Sequence, residues 1–205
     1  MTGAWLSPPP SDAGRLVRLE PLTIEHAQGW FAAARETGPE AWRWLSRPFP
    51  HTLADARGDV EDALAAAASG VRLPLAQIDA VSGQFVGTTS YYAPDEQVRS
   101  VAIGYTWLAA RTHGRGHNAD SKLQMLTHAF EGLGAEVVVW HTDALNAQSR
   151  AAIEKLGARH DGVLRHHKRR PDGSVRDTAC FSLLASEWPA ARERLKGRVS
   201  AALPR

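Results

Sequence analysis

The sequence predicts an α/β domain with a mixed, mostly antiparallel central sheet of about seven strands and about four helices. Three strand-like runs between residues 73 and 108 are separated by short turns, which indicates an antiparallel meander. A helical segment then leads into the continuous apolar run 137–140, which adds one parallel, right-handed crossover. Two more strand-like runs between residues 162 and 184 complete the sheet.

Length and composition favour one soluble domain that needs neither a disulfide nor a bound metal for its stability. The chain has 205 residues, of which 43% are hydrophobic and 22% charged, so it can bury an adequate core. Its one cysteine, Cys180, excludes an internal disulfide and a thiolate metal cluster. A formal charge of +2 is too small to indicate a nucleic-acid-binding protein.

Neither a membrane span nor a secretory signal is present in the sequence pattern, so we expect a cytoplasmic protein without a membrane partner. The proline-rich start predicts a flexible leader over residues 1–13. The domain itself is expected to cover residues 14–190. A short helix that frays into a tail is expected at the C-terminus, with the tail over residues 191–205.

The first half of the chain begins with a strand at residues 15–19, where charged and apolar residues alternate. Thr23 is the expected N-cap of a helix that runs to Arg35, and residues 55–69 form a second helix that Gly70 ends. The connecting segment between these helices contains an aromatic cluster, Trp42-Arg43-Trp44-Leu45.

The second half contains two more helices and a hairpin. Asn118 is the expected N-cap of the first of these helices. Apolar residues recur in it at helical spacing: Leu123, Leu126, Phe130 and Leu133. Asn146 is the expected N-cap of the second helix, which ends at Gly157. Pro171-Asp172-Gly173 is typical of a hairpin turn.

The segment most informative about function runs from Arg111 to Asn118, between a strand and a helix. Gly114 and Gly116 let the backbone approach a ligand closely. Free N–H groups at a helix N-terminus, together with the helix dipole, attract anions. Arg111 and Arg115 add positive charge. These residues therefore predict a phosphate-binding loop.

The pattern Arg-x-x-Gly-x-Gly, formed by Arg111, Gly114 and Gly116, resembles the pyrophosphate-binding motif of the GNAT acyltransferases. The order of elements over residues 15–185 is similar to that of the same family. The likeness is greatest to its RimJ/RimL-like branch. Supporting segments stand on both sides of the crossover: Ile103-Gly104, Trp107-Leu108-Ala109, Asn146-x-x-Ser149 and Glu154-Lys155-Leu156-Gly157-Ala158.

The resemblance implies a GNAT fold in which a parallel strand pair splays apart and holds acetyl-CoA as the acyl donor, without a metal. The pantetheine arm would lie along the backbone of Trp107, Leu108 and Ala109, with Asn146 at its amide. Amides from the loop would bind the pyrophosphate, and the expected loop residues are Arg111, Thr112, His113, Gly114, Arg115, Gly116, His117 and Asn118.

The implied reaction is transfer of an acetyl group to a primary amine, which requires a base for the amine and a proton for the departing thiolate. By resemblance, Ser149 lies near the thioester sulfur and donates that proton, and a backbone N–H of the splayed strand polarises the carbonyl. The candidate bases are His141, Asp143 and Tyr105, and a chain of water molecules is the alternative.

The expected acceptor is a small-molecule amine or a protein N-terminus, and nucleic acid is not expected as a partner. Trp42, Trp44, Tyr91 and Tyr92 are the candidate walls of the acceptor site. Aromatic walls favour an apolar or cationic acceptor over an extended acidic peptide. A dimer is compatible with the sequence.

Three alternatives remain open at this stage. Gly114-x-Gly116-x-x-Ala119 also fits a dinucleotide-binding fingerprint, although a meander precedes it. An acyl-CoA-binding sensor without catalysis is a second alternative, because the carboxylate and tyrosine of many GNATs are absent. The basic run 165–170 is either a solvated hairpin or a site for RNA, an acidic peptide or CoA phosphates. His113 and His117 are interpreted as loop residues and not as metal ligands.

Overall fold

A computed structural model describes residues 5–45, 47–170 and 172–203, and the strands of this part of the chain form one sheet. The strands are β1 Val17–Pro21, β2 Arg72–Asp79, β3 Phe85–Asp95, β4 Ser100–Leu108, β5 Val137–Asp143, β6 Arg159–Arg169 and β7 Val175–Leu184. Their order in space is β1-β2-β3-β4-β5-β7-β6. Only β4 and β5 pair in parallel among the described strands. The predicted mixed, mostly antiparallel sheet is confirmed.

Five α-helices accompany the sheet in the described residues: α1 Ala27–Thr37, α2 Leu53–Ala68, α3 His117–Thr127, α4 Ala147–Glu154 and α5 Trp188–Ala202. The expected aromatic connection is a short 3-10 helix, Pro39–Trp44. Within this part of the chain, no helix combines the length and apolar character needed to span a bilayer.

The helices lie on opposite faces of the sheet. α1 and α2 pack on β3 and β2, and on the same face Trp30 of α1 contacts Trp107 of β4 with ring centroids 5.3 Å apart. α3 and α5 pack together on the other face, and α3 receives a hydrogen bond from Tyr91 Oη to the carbonyl of Met125. Since successive side chains of a strand point to opposite faces, Tyr91 and Tyr92 of β3 belong to different sides of the domain.

Both ends of the domain differ from the expected leader and tail. The Trp5 indole donates to the Leu133 carbonyl at 2.9 Å, and His128 Nε2 lies 2.9 Å from the Ser7 carbonyl, so residues 5–7 contact the domain. The expected tail is the greater part of α5, because Leu195 and Val199 repeat at helical spacing and are buried. Residues 1–4 and 204–205 lie outside the described residues.

The start of α3 also differs from the prediction. Gly116, with φ 83°, is the N-cap residue, and the expected cap Asn118 lies in the first turn of the helix. A Cβ at Gly116 would lie 2.5 Å from Cβ of Ala202 and 2.9 Å from Leu16, so α5 and the residue that precedes β1 close tightly on this glycine. At the expected hairpin turn, Pro171 lies outside the described residues.

Candidate active site

The cleft of the domain is the gap where β4 and β5 separate. The parallel ladder covers only Ser100–Ala102 of β4 and Val137–Val139 of β5. Both strands continue beyond it, to Leu108 and Asp143, without pairing to each other. The splayed strand pair that the resemblance implied is therefore present, and each strand has an unpaired edge along the cleft.

Backbone N–H groups converge at the end of this cleft, where β4 leads through a loop into α3. Five backbone N–H groups of this segment donate to no acceptor among the described residues: Gly114, Gly116, His117, Asn118 and Ala119. Gly114 has φ 73° and open space at its Cβ position, so its backbone is accessible. Unpaired amides at a helix N-terminus can bind an anion, so the geometry is compatible with the predicted phosphate-binding loop.

Asp120 fixes the start of α3 against the sheet. Its Oδ2 accepts hydrogen bonds from the backbone N–H groups of Arg15, Leu16 and Val17 at 2.8, 2.7 and 3.0 Å. A buried carboxylate with three donors is a strong anchor. The anion site is therefore held by the fold and does not require a ligand to organise it.

Most side chains of the loop point away from the free amides. Arg111 binds the Glu36 carboxylate and, at 3.0 Å, the Phe85 carbonyl, so its charge is already paired. His113 Nε2 lies 3.0 Å from the carbonyl of Leu108. The Thr112 hydroxyl donates to the Ala109 carbonyl. These three side chains shape the loop. Their backbone N–H groups are also paired, with Glu36 and the carbonyls of Ala109 and Ala110, so these residues offer no free amide to an anion, in contrast to the prediction.

His117 and Arg115 have opposite placements. His117 is buried and its Nε2 lies 2.9 Å from Asp79 Oδ2, so only its amide can bind phosphate. Burial raises the pKa of Asp79, but hydrogen bonds from Ser82 and His117 outweigh burial and bring that pKa to about 2. Arg115 is exposed and makes no ion pair in the described chain. Arg115 is thus the loop side chain available to a phosphate.

The backbone of β4 that faces the cleft differs from the predicted set. The carbonyls of Tyr105 and Trp107 accept from Thr88 and Gln77, on the side of β3 and β2. The N–H of Ala109 donates to Val86 on that same side. Backbone groups alternate along a strand, so Thr106 and Leu108 face the cleft.

Leu108 belongs to the set predicted to hold the donor, whereas Thr106, which also faces the cleft, does not. Trp107 and Ala109 contribute no backbone group to the cleft edge. A register shift between Thr88 and Ser90 of β3 sets this alternation, and no residue type in the sequence signals that bulge.

Asn146 and Ser149 stand at the start of α4, after β5. Asn146 Oδ1 accepts the backbone N–H of Ser149 at 2.9 Å, which is the predicted N-cap. The Ser149 hydroxyl is half-buried and has no hydrogen-bond partner among the described residues. The hydroxyl is consequently free to donate to a ligand.

Tyr92, Tyr105 and His141 form a cluster at the point where β4 and β5 separate. Tyr92 Oη lies 2.9 Å from His141 Nδ1, and its ring meets that of Tyr105 edge-on at 5.2 Å. A Cβ at Gly104 would lie 2.8 Å from the Tyr92 ring, so glycine lets that ring cross β4. Tyr105 has φ 51° and the guanidinium of Arg72 lies 3.9 Å from its ring centroid.

The protonation states within this cluster differ from those of free side chains. Partial removal of the ring from water lowers the pKa of His141, and the positive charges of Lys168, His167 and Arg176 lower it further. Burial raises the pKa of Tyr92 to about 12. His141 is therefore mainly neutral at pH 7 and Tyr92 stays protonated.

Asp143, a predicted candidate base, is committed to an ion pair. Its carboxylate binds Arg170 through Nε at 2.6 Å and Nη2 at 3.1 Å, and it also accepts the N–H of Leu145. Burial raises the pKa of Asp143, but these donors outweigh it and the pKa is lowered. A carboxylate held in this way is a poor proton acceptor, so its geometry fits a structural role.

The predicted acceptor walls separate into two groups. Tyr91 is fully buried under α3, away from the cleft, because it points to the opposite face from Tyr92. Trp42 and Trp44 line a cavity of about 470 Å³ beside the cleft, together with Phe49 and Leu145. The structure thus brings Trp42, Trp44 and Tyr92 to the cleft side and excludes Tyr91.

The family is established by comparison with known proteins. The Acetyltransferase (GNAT) domain family matches residues 16–159 of the chain. The chain belongs to this family, whose members transfer an acyl group from acyl-CoA. No curated protein matches the chain.

Solved structures agree with this assignment. A GCN5-related N-acetyltransferase from Brucella melitensis is 30% identical over 94% of this chain and 88% of its own, with a TM-score of 0.85. A protein from T. thermophilus classed as an acetyltransferase is 36% identical over 96% and 100%, with a TM-score of 0.84. Mycobacterium smegmatis RimJ, solved in complex with CoA-disulfide, is 24% identical over 88% of both chains, with a TM-score of 0.75. This last likeness is one of fold.

Proposed function

We propose that this protein is an acyl-CoA-dependent N-acyltransferase that transfers acetyl from acetyl-CoA to a primary amine. The observation that carries the proposal is the set of unpaired N–H groups of Gly114 and of Gly116 to Ala119 at the end of the cleft between β4 and β5. The unpaired N–H groups would bind a pyrophosphate, and the unpaired edge of β4 that leads to them would bond an arm that contains amides.

The residues present fit such a donor. The N–H groups at the start of α3 and the Arg115 side chain would hold the pyrophosphate, and the cleft-facing backbone of Thr106 and Leu108 would bond the pantetheine. Asn146 uses its Oδ1 in the helix cap, which leaves its Nδ2 as a donor. The bound donor supplies the acetyl group as a thioester. A CoA compound bound to the same fold in M. smegmatis RimJ supports this proposal.

His141 is the proposed base. Its low pKa keeps the ring neutral, and Nε2 can accept a proton when Nδ1–H donates to Tyr92 Oη. Tyr92 thereby acts as a positioning residue that fixes the tautomer. The Tyr105 hydroxyl makes no hydrogen bond among the described residues, and Asp143 is paired with Arg170. His141 is preferred over both for these reasons.

Ser149 is the proposed acid. In the reaction the amine nitrogen bonds to the carbonyl carbon, the carbon–sulfur bond breaks, and His141 takes one amine proton. The sulfur takes the proton of the Ser149 hydroxyl, which solvent restores. A backbone N–H on the free edge of β4 donates to the carbonyl oxygen. Each proton and bond of the transfer then has a stated destination.

The acceptor class is a small-molecule amine or a protein N-terminus. Trp42 and Trp44 on the cavity of about 470 Å³ are its proposed contacts. The likeness to M. smegmatis RimJ is compatible with either, because it is a likeness of fold.

Release of free CoA tests the proposal. The purified protein, acetyl-CoA and a panel of amines are combined, and thiol formation is followed; we expect amine-dependent release. Ser149→Ala should lower kcat with little effect on donor affinity, and the cap survives because it uses the backbone N–H of Ser149. Gln148→Ala, an exposed neighbour on α4, is the matched control. Donor binding without CoA release with any amine would instead support the sensor alternative.

A further inference from the structure

The end of the cleft beyond His141 is bordered by positive side chains from the β6–β7 hairpin. His141 and Asp143 of β5 lie opposite Cys180 and Thr178 of β7. Directly opposed residues of antiparallel strands share a face, and so do residues two apart. Arg176 therefore points to the same face as His141.

The neighbouring strand adds a second cation to that face. Lys168 of β6 stands directly opposite Arg176 of β7. Between the pairs Leu164–Thr178 and Lys168–Arg176, β6 contains two more residues than β7, so the strand bulges. His166 within the bulge has φ 52°. The bulge is the structural reason why the basic run reaches the cleft.

Local hydrogen bonds fix this bulge. The N–H of His166 donates to Asp177 Oδ1 at 2.7 Å, and His167 Nδ1 lies 3.1 Å from the Thr178 hydroxyl. Asp177 is thus occupied by the backbone of the bulge. The other nearby carboxylates are also engaged, Asp172 by Ser174 and Asp143 by Arg170.

Arg170 of the hairpin pairs with Asp143, whereas Lys168 and Arg176 form no ion pair in the part of the chain that the structure describes. Nε of the half-buried Arg176 also has no hydrogen-bond partner there. A cavity of about 410 Å³ adjoins Lys168, and its described lining contains no carboxylate: His166, His167, Lys168, Arg169 and Val175. Their positive charge reaches the cleft, since it lowers the pKa of His141.

We propose that Lys168 and Arg176 bind an anionic group of the acceptor, so that the preferred acceptors are amines that also carry a carboxylate or a phosphate. This inference rests on the proposed function and specifies its substrate class. Charged hydrogen bonds from two unpaired cations would orient such an amine toward His141. The sequence alone, read from its aromatic residues, pointed instead to an apolar or cationic acceptor.

Matched pairs of acceptors test the inference. Glycine is compared with glycinamide, phosphoethanolamine with ethanolamine, and a peptide that begins with Asp with one that begins with Asn. The first two pairs distinguish a carboxylate from a phosphate, and CoA release gives kcat/KM for each member. The quantity compared between wild type and variants is the ratio of the two kcat/KM values within a pair. This ratio is used because the members of a pair also differ in amine basicity.

We expect the anionic member to be preferred by the wild type. Lys168→Met or Arg176→Met should reduce that preference at least about tenfold, the scale of one lost charged hydrogen bond. Lys196→Met, which removes an exposed lysine of α5, should leave it unchanged. Calorimetric titration with acetyl-CoA should give the same affinity for all three variants.

Three results would overturn the inference. Equal or better use of the neutral members by the wild type would contradict it, as would a preference that both hairpin variants retain. A loss of acetyl-CoA affinity in Lys168→Met with an unchanged acceptor preference would assign the cation to donor phosphates. No CoA release with any amine would count against the proposed function itself.

Discussion

The phenol oxygen of Tyr92 lies 2.9 Å from Nδ1 of His141, and this contact joins β3 to β5 across the point where β4 and β5 separate. The Tyr92 ring passes over Gly104, where a side chain would collide with it. The contact therefore depends on the register of three strands. It places an oriented, neutral imidazole at the inner end of the cleft, beside the free edge of β4.

The first prediction concerns His141 as base. His141→Gln should lower kcat/KM by about 100-fold or more, the usual contribution of a general base. In the wild type an acid limb should appear below pH 6.5, because the pKa of His141 is lowered from that value. The variant should lack this limb in a pH profile of CoA release. His160→Gln, an exposed histidine on β6, is the control, and a profile unchanged in His141→Gln would exclude the role.

Tyr92→Phe separates positioning from packing. The phenyl ring keeps its place over Gly104 but loses the hydrogen bond to His141. We expect kcat to fall several-fold and the acid limb of the pH profile to move to a different pH. The melting temperature and the KM for the acceptor should change little. A purely structural role would leave the pH profile unchanged, so that profile decides between the two.

Asp143 should matter for stability more than for chemistry. Removing Arg170 leaves the buried Asp143 carboxylate without its partner, so Arg170→Met should unfold at a clearly lower denaturant concentration than wild type. The pKa of Asp143 is lowered in the folded protein, so its stabilisation is present above pH 3.8 and is lost as pH falls through the folded-state pKa. Asp143→Asn should lack this acid-dependent loss. A large fall in kcat of the folded Asn variant would instead support Asp143 as base.

Lys122 also makes stability depend on pH, in the same direction as Asp143 but over a higher pH range. Its Nζ is buried 2.7 Å from the Thr89 hydroxyl and 3.0 Å from that of Thr106. Burial lowers its pKa from 10.5 to about 7, so the unfolded chain binds more protons between these values. Stability should therefore rise with pH across this window. Lys122→Met should melt higher than wild type at pH 7, and the difference should shrink toward pH 10; a constant difference would contradict this.

Much of the fold and the phosphate loop could be predicted from the sequence because they depend on local signals. Strand periodicity, helix caps and glycine spacing mark the elements, and Gly114 and Gly116 mark the loop. The partner that each side chain binds depends on residues that are distant in the sequence. Arg111 binds Glu36 and His117 binds Asp79, and neither pairing is visible in the loop itself.

The cleft-facing residues were harder to predict for a related reason. A bulge between β4 and β3 determines which backbone groups of β4 face the cleft. Strand register determines whether Tyr91 or Tyr92 of β3 reaches the cleft. The approach of Lys168 to the cleft depends on the bulge in β6. The basic run was visible in the sequence, whereas the absence of acidic partners required the described structure.

Donor binding tests the central claim most directly. The purified protein is titrated with acetyl-CoA by calorimetry beside Gly114→Asp and Gly173→Asp. Both glycines have positive φ, 73° and 82°, and open space at Cβ, so both variants carry the same strain and added charge. Only Gly114 lies in the anion site.

We predict saturable binding by wild type and Gly173→Asp, and its loss in Gly114→Asp, because a carboxylate there repels the pyrophosphate. Circular dichroism confirms that each protein is folded. Absence of binding by the folded wild type, or equal binding by both variants, would contradict the account.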